Sequence, residues 1–304
     1  MSLNSQQEFV PYPTEESMRF VPVDIRTGPV DNPVSQRNVF GLSFADKEML
    51  YTEFELQKVA VLDSACAEEN FLFNAAEETQ KLRFLQGNEY DIPKTIASLK
   101  EYSSWKELRE TKPISRTPTR RDNEFDFAYW YGHDKCYRPV LIVDVARLVR
   151  RLNNQTTSAT TMELIESELV NILDFFVNSL CVPGHVEQLV VIVDLKNCDT
   201  WDSPIEFTQR CAKTLSSYFR SRLNKLFVIN TPLLFYTFWR MIKIFVPPRT
   251  VAKVNIMRSD YMSILSEQID ANMIDPLIVP QENSPKKGIF HASSAFDLLP
   301  TSKT

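Results

Sequence analysis

Two short runs limit the fold of this 304-residue chain more than anything else in it: Pro139 to Val145 (PVLIVDV) and Leu189 to Leu195 (LVVIVDL). Each is apolar at every position but its aspartate, with none of the polar alternation of a half-exposed strand. Such strands are buried on both faces, as in a parallel sheet covered by helices. The segments around them fit that reading. Met162 to Leu180 places Leu164, Ile165, Leu169, Ile172, Phe175 and Phe176 near the helical period. Pro204 to Arg220 predicts a second helix, with Ser203 as its cap. Leu226 to Ile229 and Val251 to Met257 predict strands, and Ser259 to Gln268 a further helix. Upstream, Phe125 to Tyr131 reads as an aromatic strand and Gly132 to Lys135 as a turn. Strand and helix alternating at this spacing predict an α/β domain over residues 125–279.

The rest of the chain divides by composition. Residues 1–43 hold prolines at 11, 13, 22, 29 and 33 and no sustained helical period, so an extended arm is expected. Residues 44–112 read as a helical module. There Asp91 caps a helix with Pro93 near its first turn, and Ile96, Leu99, Tyr102 and Leu108 follow the helical period. Residues 113–124 are polar and proline-bearing and read as a linker. Residues 280–304 read as a disordered tail. No apolar N-terminal run of the signal-peptide kind is present, and no segment reaches the roughly 18 apolar residues of a spanning helix. A cytoplasmic protein is expected.

Several chemistries are disfavoured. The six glycines (28, 41, 87, 132, 184, 288) are scattered, whereas phosphate-binding loops need them clustered. No nucleophile elbow is present. His133, His185 and His291 lie far apart, which gives no metal or triad signature. Neither a metal nor another cofactor is expected. Five cysteines without a CxxC pair read as reduced, buried thiols. A formal net charge of −5 lacks the basic footprint of a nucleic-acid binder. Asp144 and Asp194 end the two apolar strands, where ligands often sit in α/β folds. Capping of the next loop is the simpler role for each.

The segment Thr231 to Val246 stands apart. Pro232 suits a helix start, and Pro247-Pro248 suits its end. Tyr236, Arg240 and Lys243 form one narrow polar stripe on an otherwise apolar circumference. Two readings are open. The segment is a central core helix, or it covers an apolar cavity on one side and meets solvent or a membrane on the other.

The order of several motifs resembles the CRAL-TRIO family of lipid-binding proteins. Lys81-Leu82-Arg83-Phe84-Leu85, Tyr90-Asp91-Ile92 and Trp105-Lys106 resemble its N-terminal helical part. Asp134-Lys135 with Arg138-Pro139-Val140 resembles its D-K-x-x-R-P-V turn and strand. Val190 to Lys196 resembles its strand ending in Asp-Leu-Lys. Tyr218, Arg222-Leu223, Leu226 to Asn230 and Pro232 resemble its Y-P-E-R-L…I-N-x-P region. Lys243, Phe245 and Thr250 to Val254 resemble the end of its gate helix and the stretch leading to its next strand. The likeness covers about residues 45–275.

The resemblance implies a sheet floor, a lipid lying on it and a gate helix at Thr231 to Val246. Leu189, Val191 and Val193 are then candidates for the floor. Phe207 and Cys211 on the preceding helix, and Phe235, Phe238, Trp239, Ile242 and Lys243 on the gate, are the other candidate ligand contacts. Trp239, Arg240, Lys243 and Phe245 would face the membrane. Some positions depart from the phosphatidylinositol-binding pattern. Gln86-Gly87-Asn88-Glu89 replaces basic residues. Leu189 and Val191 replace hydroxyls, and Arg210 stands at a glutamate position. Tyr137 replaces the usual glycine before Arg-Pro. A buried inositol phosphate would be poorly compensated here. The expectation is a monomeric, non-catalytic, peripherally membrane-associated protein that binds or transfers a lipid less polar than phosphatidylinositol. The alternative is a protein-interaction module whose pocket is filled by its own side chains.

Overall fold

The computed structural model describes residues 51–72, 80–110, 127–154, 159–182, 186–198 and 205–280. The arm at 1–43, the linker at 113–124, the Ser203 cap and the tail beyond Pro280 lie outside the described residues. Two compact units are formed: residues 1–99 with 175–187, and residues 100–174 with 188–304.

In the first unit, α1 (Glu53–Glu68) opens on a capping box. The Thr52 hydroxyl accepts the Glu55 N–H at 3.3 Å, and the Glu55 carboxylate accepts the Thr52 N–H at 2.8 Å. α1 buries Val59, Leu62 and Cys66. The short α2 (Lys81–Gly87) buries Leu82, Phe84 and Leu85, and with them Arg83. The Arg83 guanidinium meets Glu187 at 2.8 Å, with the two side chains only 1% and 2% exposed. α3 (Ile92–Glu110) begins in this unit, and the Asp91 carboxylate accepts the Lys94 N–H at 2.9 Å as its cap.

The second unit is built on a five-stranded sheet in the order β1 (Ala128–His133), β2 (Pro139–Asp144), β3 (Leu189–Asp194), β4 (Leu223–Ile229), β5 (Val254–Ile256). β1 is antiparallel to β2, and the remaining pairs are parallel. α4 (Val145–Asn154) and α5 (Ala159–Phe175) connect β2 to β3, and α6 (Ile205–Tyr218) connects β3 to β4. α7 (Phe235–Ile242), a 3-10 turn at Lys243–Phe245 and α8 (Pro248–Val251) lead to β5. α9 (Tyr261–Gln268) comes after it. The two apolar runs are therefore neighbouring parallel strands inside the sheet.

Four expectations are corrected. Gly132 and His133 belong to β1, not to a turn. The turn comes later, where the Asp134 carboxylate accepts the N–H groups of Cys136 and Arg138 at 2.9 and 2.8 Å. β4 starts at Leu223, three residues before its apolar run, because Leu223 and Lys225 pair with Leu189 and Val190 of β3 across an irregularity at Asn224. β5 is only Val254–Ile256, since Pro248 starts a helical turn instead. Cys136 is exposed, not buried.

One face of the sheet is closed. Tyr129, Val140, Ile142, Val190, Ile192, Phe227 and Ile229 pack beneath Tyr261 and Leu265 of α9 and the more C-terminal Ile269, Ile274 and Ile278. Gly132 fits only as glycine at its φ of +61°, since a Cβ would lie 2.4 Å from the Met273 carbonyl oxygen.

Candidate functional site

The opposite face is a different surface made from the same strands. Parallel register places Leu141, Val191, Leu226 and Val254 side by side across β2 to β5. The next row is Val143, Val193, Val228 and Ile256. Side chains alternate along a strand, so these rows share one face with Leu189. The floor is apolar throughout, yet Val191 and Val193, in the middle strand of the sheet, stay only half-buried. Their neighbours Val190 and Ile192 on the closed face are 0% and 1% exposed. Leu189 itself is buried near the end of the strand.

α7 lies on this face. Phe235, Phe238 and Ile242, at i, i+3 and i+7, are buried against Val145, Val149, Leu195, Cys198 and Val228. Trp239, Val193, Leu226, Val254 and Ile256 pack partly buried around them. The helix is shorter than the expected Thr231 to Val246. Asn230 sits in the left-handed region at φ 54°, and the Thr231 N–H and hydroxyl both donate to the Met257 carbonyl, at 3.2 and 2.8 Å. Those bonds hold Thr231 against the strand, so the helical turns start only after Pro232. At the other end the chain tightens into the Lys243–Phe245 turn before Pro247, which has no N–H to continue a ladder.

The outward side of this segment is equally apolar. Leu234 is 76% and Ile244 73% exposed, and Leu233, Met241 and Phe245 are exposed with them. Arg240 and Lys243 are also exposed. From Thr231 to Lys253 the sequence holds four cations (Arg240, Lys243, Arg249, Lys253) and no Asp or Glu.

α6 abuts α7 and the 3-10 turn. Its Phe207 is buried, and Cys211 lies one turn along on the same side. Burial pushes the Cys211 thiol up to about 12; the Glu166 carboxylate adds to the rise and Arg210 opposes it. Arg210 donates to Glu166 Oε2 through Nε at 3.2 Å and Nη2 at 3.0 Å, while the Thr214 hydroxyl donates to Oε1 at 2.6 Å. At the strand ends, Asp194 Oδ1 accepts the Lys196 backbone N–H and the Asn230 amide, each at 2.8 Å. Burial raises the Asp194 pKa against those two bonds, with Asp144 adding to the rise. Asp144 accepts the Arg147 N–H at 3.1 Å. Both aspartates are thus engaged as loop or helix caps.

Among the candidates read from the sequence, Val193, Phe235, Phe238, Trp239 and Ile242 come together in one cluster, with Leu189 and Val191 on the same strand face. Phe207 and Cys211 lie on α6, which borders that helix. Lys243 falls in the turn after the helix. Leu141, Leu226, Val254 and Ile256 join the floor without having been singled out in the sequence. Leu226 and Val254 are recoverable by aligning the strands at equal distance from their C-terminal ends. The Glu166 partner of Arg210 carries no sequence signal, because its helix is 44 residues away.

Comparison with known proteins decides the family. The family model described as CRAL/TRIO domain matches residues 123–276, half of the chain. The chain belongs to the CRAL/TRIO domain family. It is 28% identical over 204 residues to the phosphatidylinositol/phosphatidylcholine transfer protein SFH12 of Arabidopsis thaliana, covering 62% of this chain and 37% of that protein. It is 24% identical over 220 residues to the SEC14 cytosolic factor of Candida glabrata, covering 69% of this chain and 70% of the relative. The chain thus spans little more than a third of the Arabidopsis protein. In fold, it is similar to the crystal structure of Sfh5, with a TM-score of 0.53 and 13% identity over 70% of this chain and 83% of that one. Among the described residues of this CRAL/TRIO protein, no helix is long and apolar enough to cross a membrane.

Proposed function

We propose that the chain binds a single hydrophobic lipid between the Val191–Val193 floor and the α6–α7 wall, and carries it between membranes without catalysis. The observation behind this is the half-covered apolar floor in the middle of the sheet. Apolar area kept from water there by a ligand is worth about 25 cal/mol per Å². Residues 125–279 form the lipid-binding domain and residues 44–112 a helical module before it. The names of the relatives, transfer proteins and cytosolic factors, support the same direction and a cytosolic location.

α7 and its flanks act as the gate. Phe235, Phe238, Trp239 and Ile242 face the lipid, with Leu189, Val191, Val193, Phe207 and Cys211 as floor and wall. Phe245 and the exposed leucines enter the acyl boundary, while Arg240 and Lys243 meet headgroups. The Cys211 thiol, pushed up to about 12, stays protonated and is a poor nucleophile, which fits carriage rather than chemistry. The ligand is less polar than phosphatidylinositol. Leu189 and Val191 offer no hydroxyl, and Arg210 is already paired with Glu166. The protein works as a monomer and needs no cofactor.

The test is transfer of fluorescent phosphatidylcholine between two vesicle populations. Transfer whose rate rises with protein concentration, together with uptake that saturates at one lipid per chain, is expected. No transfer and no uptake would favour a self-filled interaction module instead.

A further inference from the structure

Charge is unevenly distributed along this chain. Its formal net charge is −5, yet Thr231 to Ser259 holds five Lys or Arg residues and no Asp or Glu. One of the five, Lys253, is half-buried and donates to the Leu223 carbonyl. Arg240, Lys243 and Arg249 are exposed, and so are Leu234, Met241, Ile244 and Phe245 among them. The two kinds of residue share a side. Thr237, Arg240, Met241 and Ile244 recur at i, i+3, i+4 and i+7, and all four are exposed. Phe235, Phe238 and Ile242, on the other side of the same turns, are buried in the cluster on the sheet. α7 is only eight residues long. It therefore has an inner face on the floor and an outer face that mixes cations with bare apolar groups.

Resting on the carriage reading above, we infer that this outer face docks on an anionic bilayer, so that membrane charge selects where the lipid is exchanged. The exposed apolar groups alone would suit any bilayer. The cations supply the choice, because each Lys or Arg held at a negatively charged leaflet adds its own attraction, which a neutral leaflet does not offer. Long basic side chains reach the headgroups while the apolar groups beside them enter the acyl boundary. The acidic remainder of the chain is repelled by the same leaflet, which turns this face toward it. A second copy of the chain fits poorly as the occupant. A two-fold interface sets a patch against itself and would bring like charges together. Docking bears directly on the gate, since α7 is too short to move its outer residues without shifting Phe235, Phe238 and Ile242 on the floor.

The experiment sediments the full chain with two vesicle populations, one of phosphatidylcholine and one of equal phosphatidylcholine and phosphatidylserine. Binding to the charged vesicles is expected to be at least about ten-fold tighter and to weaken as salt screens the cations. Replacing Arg240 and Lys243 together by Gln should lower that binding about five-fold for each cation removed, with little change on neutral vesicles. Both side chains are exposed, so the melting temperature should stay near that of the wild type. Replacing Lys94 and Lys213, exposed cations outside this segment, by Gln should leave the charged-vesicle preference intact. Transfer of fluorescent phosphatidylcholine to charged acceptors should be faster than to neutral ones, and the gate variant should lose that advantage. Equal binding to both vesicles, an Arg240/Lys243 variant that binds like the wild type, or an equal loss in the Lys94/Lys213 variant overturns the proposal. So does self-association without vesicles that Ile244→Asp removes. A protein that docks on charged vesicles as expected but carries no lipid overturns the carriage reading instead. A protein that carries lipid without regard to membrane charge overturns the docking proposal and leaves that reading standing.

Discussion

The two faces of the sheet are made from the same strands, with side chains of the same kinds, and they are covered to different degrees at the centre. On one, Val190, Ile192 and Phe227 are at most 1% exposed beneath α9 and the segment after it. On the other, Val191, Val193 and Leu226 remain half-buried although helices lie over that face. Interiors normally pack to crystal-like density with few voids. Here the central strand is closed on one side and only partly covered on the other. The difference teaches that the closed face carries the stability of this unit, while the open face is reserved, on the reading proposed above, for a ligand.

That contrast can be broken most sharply in the core. Phe227→Ala on the closed face should cost about 3–5 kcal/mol, the range for emptying a buried aromatic site. Val191→Ala on the open face should cost well under half of that. Urea denaturation of both ligand-free variants checks the pair, and equal losses would erase the distinction. Next in size is Gly132→Ala, at the edge of the closed face. A Cβ 2.4 Å from the Met273 carbonyl, added to a positive φ, should cost at least about 2 kcal/mol. Thermal unfolding reads this directly.

On the outer side of the gate the sign of the contrast reverses. Ile244→Asp removes an apolar group that is 73% exposed, so stability should change by less than about 0.5 kcal/mol. Vesicle binding, however, should fall about ten-fold or more, because an inserted Ile contributes about 1.5–3 kcal/mol. Sedimentation with vesicles, alongside a melting curve, separates the two effects. The smallest effect is a pH dependence. Burial raises the pKa of Asp194 above its unfolded value, so its protonated form favours the folded state. That contribution is fully present below the usual carboxylate range near pH 3.8 and is lost as pH rises through the folded-state value. Asp194→Asn should therefore flatten stability against pH in this window, which urea midpoints from about pH 3 to 7 would show.

Much of the fold is legible in the sequence because its signals are local. PVLIVDV and LVVIVDL announce buried parallel strands by lacking any polar alternation. Asp91 announces its helix by position. The Thr231 to Val246 region is legible as special but not in its bounds. The start of α7 is set by Thr231 bonding to Met257, a strand-to-strand contact 26 residues away that no local pattern encodes. Its outer apolar side is also hidden. Periodicity separates apolar from polar faces, but it cannot tell an apolar face turned inward from one turned outward, as with Phe238 and Ile244. Arg83 reads as part of a motif, while its partner Glu187, 104 residues on, has no signal of its own. The floor behaves likewise: Leu189, Val191 and Val193 share a face by alternation, but which face lies open depends on helices packed from elsewhere.

Whether the open face holds a lipid is the central question. Native mass spectrometry of the purified chain measures this most directly, compared with Val191→Trp, which fills the floor from within. The expected result is a bound lipid mass on the unaltered protein, one per chain, and its loss from a folded Val191→Trp variant. A bare protein mass that persists after incubation with vesicles, or a variant that carries lipid as well as the original does, would contradict lipid binding at this face.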